Sequence, residues 1–147
     1  MGMRPTWIET FMDVAKVVAK RSTCLRRQVG AVLVQNKHII ATGHNGAPAG
    51  MVHCLDIGCV REQQQIPSGE RHELCRAVHA EQNVIIQAAL HGRSTRGSEL
   101  YVTLFPCAIC AKMIVAAGIE TVYCEGEYPD QLARDILSQG GVTVIEL

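Results

Sequence analysis

Apolar residues recur at helical spacing near the start of the chain: Ile8, Phe11, Met12, Ala15, Val18 and Ala19. That spacing predicts an amphipathic helix over residues 7–20. Thr6 and Glu9 read as a capping box in front of it. The period then changes. VGAVLV (29–34) is a β-branched run, HIIATGHN (38–45) is another, and the polar turn Gln35–Lys37 between them predicts a hairpin. Residues 45–76 mix Gly, Pro, Cys and charge without sustained periodicity. A stretch of that length is expected to be functional or pinned by something. Helical spacing returns over 79–90, with Ala80, Val84 and Ala88 on one side and Ile85 near it. LYVTL (100–104) reads as a strand, and Pro106 precedes the helix CAICAKMIVAAG, which Gly118 stops. TVYC (121–124) is a strand, Pro129 and Asp130 open the helix DQLARDILSQ, which ends at Gly140–Gly141, and VTVIEL closes the chain as a strand.

The order is α-ββ-α-β-α-β-α-β. Strands that alternate with short helices after Leu100 imply parallel neighbours joined by right-handed crossovers. The fold class expected is α/β: a three-layer α/β/α sandwich around a mixed five-stranded sheet. At 147 residues, with no repeat, linker or composition shift, the chain reads as one domain, 1–147.

Fourteen Lys and Arg balance fourteen Asp and Glu. Such a chain lacks the basic field that long nucleic acids require, so no nucleic-acid partner is expected. A small charged ligand needs only one or two local arginines and stays open. No apolar run approaches a membrane span, so no membrane partner is expected either. Residues 1–16 carry charges inside their apolar pattern and show no signal-peptide core, which points to the cytoplasm. Seven cysteines stand out against that background. The cytosol disfavours stable disulfides and the number is odd, so metal ligation is the better reading for several of Cys24, Cys54, Cys59, Cys75, Cys107, Cys110 and Cys124. Cys124, inside the run TVYC, reads as a small core residue.

PCAIC (106–110) places Cys107 and Cys110 three apart at a helix start, where both sulfurs can aim at one point. A helix N-terminus favours the thiolate, the form that binds metal. His79 opens another helix and offers an imidazole. Two thiolates and one imidazole leave a tetrahedral zinc one open position, as in catalytic sites. Glu81 can serve a water there, provided the helix begins at His79 and the metal lies off its end, because residues two apart do not share a helix face. Taken alone, H-x-E can be a polar helix start, and P-C-x-x-C can be a redox pair or half a zinc ribbon.

H-x-E followed by P-C-x-x-C, each opening a helix and separated by one strand, is the signature of the zinc deaminases. RSTCLRRQVGAVLV, ATGHNGAPAG, HAEQNVIIQAA and LYVTLFPCAICAKMIVAAGIETVYCEGEYPD together resemble the deoxycytidylate (dCMP) deaminase family over nearly the whole chain. The discriminating pieces are the NGAPAG loop, the cysteine-bearing insert at about 51–76, FPC with AKMI, and EGEYPD. The tRNA adenosine deaminases share HAE and PCxxC, but Phe105 and the neutral charge argue against them.

The resemblance implies a cytidine deaminase-like fold and zinc-dependent hydrolytic deamination of dCMP to dUMP and ammonia. Zinc on His79, Cys107 and Cys110 would activate water, and Glu81 would carry its proton to N3 and then to the leaving ammonia. The backbone near Ala80 and the carboxylate of Glu81 would read the pyrimidine edge. Asn45 would bind the deoxyribose hydroxyl, against the reading of a turn residue in Asn-Gly. Arg26 and Arg27 are the candidates for the 5′-phosphate, against a solvated basic turn. Tyr128 matches an aromatic position near the nucleotide. Relatives with a second, structural zinc imply ligands at Cys24, Cys54 and His72. Cys75 completes the set, with Glu73 and Cys59 as rivals. A homohexamer and regulation by dCTP and dTTP are further family expectations, with loop 46–50 as an effector contact. The alternatives are deamination of dCTP, CMP or cytidine, a tRNA adenosine deaminase, or an inactive nucleotide-binding module.

Overall fold

The computed structural model describes residues 2–126 and 130–147. Its elements are α1 (Trp7–Ala19), β1 (Gly30–Gln35), β2 (His38–His44), α2 (Cys54–Ile57), α3 (Val60–Gln63), a 3-10 turn (His72–Leu74), α4 (Ala80–Leu90), β3 (Glu99–Val102), α5 (Ala108–Ala116), β4 (Thr121–Cys124), α6 (Gln131–Gln139) and β5 (Thr143–Glu146). The expected elements all form. Three helices start one residue later than expected, because His79, Cys107 and Asp130 are N-caps with extended backbone. The insert, expected without regular structure, holds two single-turn helices and the 3-10 turn.

Thr6 and Glu9 form the capping box: the Thr6 hydroxyl accepts from Glu9 N–H at 3.1 Å, and the Glu9 carboxylate accepts from Thr6 N–H at 2.9 Å. Asn36 and Lys37 both take positive φ, 49° and 63°, the two-residue turn whose twist suits a hairpin. The sheet runs β2-β1-β3-β4-β5, antiparallel from β2 to β3 and parallel from β3 to β5. Side chains alternate across it. Ala31, Leu33, Leu100, Val102, Val122 and Cys124 face the layer of α4, α5 and α6. Val32, Val34 and Tyr101 face Phe11, Met12 and Ala15 of α1. The result is the three-layer α/β/α sandwich. Each alternating residue is buried on its own face, so a one-residue slip of register would invert both cores.

One edge of the sheet gathers the chemistry. The carboxyl end of β3 leads through Leu104 and Phe105 into PCAIC. Because β1 runs antiparallel to β3, its amino end, preceded by Arg26 and Arg27, lies at the same edge. Gly30 N–H donates to Thr103 Oγ1 at 3.1 Å and ties the two ends together. Carboxyl ends of strands at a change of direction are where open α/β sheets bind ligands.

The start of α4 is set by close backbone packing. A Cβ on Gly43 would lie 2.7 Å from Ala80 O and 2.9 Å from Val84 N, so α4 rests on β2 where only glycine fits. Gly43→Ala is therefore expected to lower stability by about 1–3 kcal/mol, the usual cost of overpacking. Gly2→Ala, where an added Cβ meets nothing within 4 Å, is expected to leave it unchanged. Denaturant midpoints of the two variants check this.

Candidate metal centre

His79 and Cys107 are the N-caps of α4 and α5, and both residues have extended φ and ψ. The two helices therefore turn their positive ends toward one point. The His79 N–H donates to Gln82 Oε1 at 2.8 Å, which closes one orphan donor of the first turn. Upstream, Gly46 and Val78 form a two-way backbone bridge of 3.1 and 2.8 Å, and Asn83 Nδ2 donates to His44 O at 2.7 Å. These bonds hold the residue before His79 against the end of β2.

Among the described residues, one group of His, Cys, Asp or Glu brings three ligand atoms within 4.8 Å of one another: His79, Cys107 and Cys110. His79 Nδ1 lies 3.3 Å from Cys110 Sγ and 3.5 Å from Cys107 Sγ. Zinc bonds of ordinary length at the tetrahedral angle require an N···S separation of about 3.6 Å, so the donor set fits zinc. The electrostatics agree. The Cys110 thiol lowers the Cys107 pKa to about 4, with His79 pulling the same way against burial. The same hydrogen bond, together with burial, raises Cys110. The two sulfurs share one proton, and a divalent cation is the natural replacement for it. Three protein ligands leave a fourth position open.

Glu81 lies in the first turn of α4, 6% exposed. Burial raises its pKa, and the neighbouring His79 acts in the opposite direction. It lines the same pocket as His79, Ala80, Cys107 and Phe105. The geometric condition set by H-x-E is thus met: the imidazole sits off the helix end, with the carboxylate beside it.

The remaining predicted residues fall into three groups. Asn45 lines the pocket, yet its side chain is already engaged: Oδ1 accepts from Val29 N–H at 2.9 Å, and Nδ2 donates to Arg27 O at 2.8 Å. One amide hydrogen and one lone pair are left over. Neither Asn45 nor Gly46 has the positive φ of an Asn-Gly hairpin turn. Arg26 and Arg27 also line the pocket. Arg26 Nη2 donates to Ile66 O at 2.7 Å and its Nε lies 3.5 Å from Glu62, while Arg27 Nη2 donates to Ser68 Oγ at 3.3 Å. Both arginines thus hold the insert. Tyr128 lies outside the described residues.

Cys24, Cys54 and Cys75 face the same pocket, as does Cys59. Burial raises the Cys54 thiol first, and Cys59, Cys75 and Cys24 push it the same way, in that order. These ligand atoms do not close to the 4.8 Å grouping of the first site. His72 turns its ring edge toward His79, 5.1 Å between centroids, and its Nδ1 is buried without a partner among the described residues. Glu73 is paired with Arg71 on the surface.

Sequence reasoning missed two residues. Asp130 accepts from Ala133 N–H with Oδ1 and from Ala108 N–H with Oδ2, both at 3.0 Å, so one carboxylate caps α6 and also the first turn of α5. Its place before a helix was legible, but its second partner was not. Arg61, inside the insert, is buried in the pocket wall, and no sequence pattern marked it.

Residues 5–125 match the family described as the cytidine and deoxycytidylate deaminase zinc-binding region. The chain belongs to this family. Among its relatives, ComE operon protein 2 of Bacillus subtilis is 42% identical over 142 residues, 96% of this chain and 71% of that protein. Deoxycytidylate deaminase of Schizosaccharomyces pombe is 38% identical over 95% of this chain, which spans 43% of that protein's length. The crystal structure of dCMP deaminase from cyanophage S-TIM5, in complex with dCMP and dUMP, superposes with a TM-score of 0.82 at 35% identity. That match covers 99% of this chain and 100% of the other. The cytidine deaminase-like α/β fold is therefore shared.

Because Asp130 holds the first turn of the helix that carries both cysteines, Asp130→Ala is expected to weaken zinc retention about 10- to 100-fold. Competition with a chromogenic chelator measures it, and Asp130→Asn should recover part of the loss.

Proposed function

We propose that this chain hydrolyses dCMP to dUMP and ammonia. The observation that carries the reading is a His-Cys-Cys donor set with one open position, beside a buried carboxylate, in a pocket that three arginines also line. The named relatives support the substrate.

Bound zinc supplies Lewis acidity, lowering the pKa of a water at the open position toward neutrality. His79, Cys107 and Cys110 hold the ion. Glu81 takes one proton from the water as the oxygen bonds to C4 of the cytosine and delivers it to N3; it then takes the second proton from the new C4 hydroxyl and hands it to the amino group, so that the C4–N4 bond breaks to leave a C4 carbonyl and ammonia. Its burial suits both halves of that task, because a raised pKa lets one carboxyl group act as base and then as acid. The first-turn backbone at Ala80 and the Glu81 carboxylate read the base edge. Asn45 positions the strand ends around the sugar and keeps one amide hydrogen for its hydroxyl.

The chain carries a second, structural zinc on Cys24, Cys54 and Cys75, with Cys59 in place of His72 as the fourth donor. What favours Cys59 is its burial in the same pocket as Cys24, Cys54 and Cys75, together with the packing of His72 on His79. The surface position of Glu73 leaves it out. The chain acts as one domain, 1–147, in the cytoplasm, and no helix among the described residues is long and apolar enough to cross a membrane. It assembles as a homo-oligomer, a hexamer by resemblance, and responds to dCTP and dTTP. Exposed Met51, Val52, Leu55 and Ile57 on the insert support an assembly surface.

Glu81→Gln is expected to lower dCMP turnover at least 100-fold with zinc retained, the low end for loss of a general acid–base group. Ammonia release from dCMP, CMP, dCTP and deoxycytidine, with and without dCTP and dTTP, tests the substrate; no turnover of any of them by the zinc-loaded protein refutes it. Metal analysis is expected to find two zinc ions per chain in the wild type and one in Cys59→Ser, with His72→Ala keeping two. A His72→Ala protein with one zinc would return the fourth place to the histidine.

A further inference from the structure

Arg61 stands in the single-turn helix α3 and is 7% exposed. Its Nε is buried with no hydrogen-bond partner among the described residues. The ion pairs among those residues engage Arg26, Arg71, Arg134 and Lys16, and none includes Arg61. A guanidinium buried without a counter-charge is costly, and folds keep one where an anion arrives.

Its position says which anion. Arg61 lines the pocket that holds Glu81 and His79, together with Arg26, Arg27, Ser68 and Gly69. Among the described residues of that lining, Glu81 is the one carboxylate, against three guanidiniums. Arg26 and Arg27 are engaged with the insert, as described above; Arg26 Nη1 is also buried without a hydrogen-bond partner among the described residues, but its Nη2 and Nε are held by Ile66 and Glu62.

We propose that Arg61 binds the phosphate monoester of the nucleotide and sets the preference for a nucleotide over a nucleoside. A guanidinium presents paired N–H donors that match phosphate oxygens, and it stays charged at every working pH. The phosphate supplies the counter-charge that the folded chain lacks. The inference rests on the nucleotide reading of the pocket given above.

The test compares the zinc-loaded wild type with Arg61→Gln and Arg61→Lys, using calorimetric binding of dUMP and of deoxyuridine, with zinc content and circular dichroism as checks. Arg61→Gln is expected to weaken dUMP roughly ten- to hundredfold more than deoxyuridine, the range for a lost hydrogen bond to a charged group. Arg61→Lys should fall between, and inorganic phosphate should compete with dUMP less well in both variants than in the wild type. Equal loss of both ligands, or unchanged dUMP binding by the Gln variant, overturns the proposal. Should the Gln variant misfold, Arg61→Lys with wild-type dUMP affinity and phosphate competition overturns it instead. Failure of the reaction reading is separately visible: a wild type that binds dUMP but turns over no cytosine compound leaves the binding comparison to decide the role of Arg61.

Discussion

The imidazole of His79 lies within 3.5 Å of two sulfurs carried by a different helix, and that meeting depends on where two helices begin. Neither helix can be moved by half a turn without losing it. Gly43 lets α4 rest directly on β2, and the Gly46–Val78 bridge fixes the residue before the ligand. Asp130 fixes the first turn of α5 from the other side. A metal site built on helix N-caps uses groups that every helix leaves unsatisfied, so the backbone dipoles that favour thiolate come without additional buried charge. The sandwich beneath supplies rigidity, since residues on both faces of the sheet are locked by alternate burial.

The insert has a different kind of order. Its two four-residue helices and 3-10 turn are too short to be stable by themselves. What holds them is contact with the strand end: Arg26 on Ile66 and Glu62, and Arg27 on Ser68. Arginines that sequence reasoning assigned wholly to the phosphate are thus also the struts of the pocket wall. A second metal among the thiols would do the same work more strongly, because binding free energy for a structural zinc is folding free energy.

Periodicity made the fold legible, and residue chemistry made half of the site legible. Alternation in VGAVLV and spacing in Phe11, Met12 and Ala15 are local facts, and burial on opposite sheet faces follows from them directly. His79, Cys107 and Cys110 could be read because a metal ligand must be one of a few residue types at a few spacings. Arg61 could not. A guanidinium in a charged, aperiodic segment looks like any surface arginine, and only the folded pocket reveals that its Nε has no partner. Asp130 was half legible for the same reason: an N-cap is a local matter, whereas its bond to Ala108 spans 22 residues. The two ends of Asn45 likewise reach Val29 and Arg27, far off in sequence.

The chain carries no net charge, yet its pocket does not mirror that balance. Among the described residues, one carboxylate and three guanidiniums line a cavity whose other members are apolar, sulfur-bearing or neutral polar side chains. Glu81 lies beside the metal ligands and Arg61 comes from the insert; in the function proposed above the first serves proton transfer and the second holds an anion. A ligand that satisfies both must be polar and neutral at one extremity and anionic at the other. A pyrimidine nucleotide has that form and a nucleoside does not, so in the proposed reading the charge of the pocket is itself an element of substrate choice. In that reading the insert contributes to selectivity through the arginine it carries.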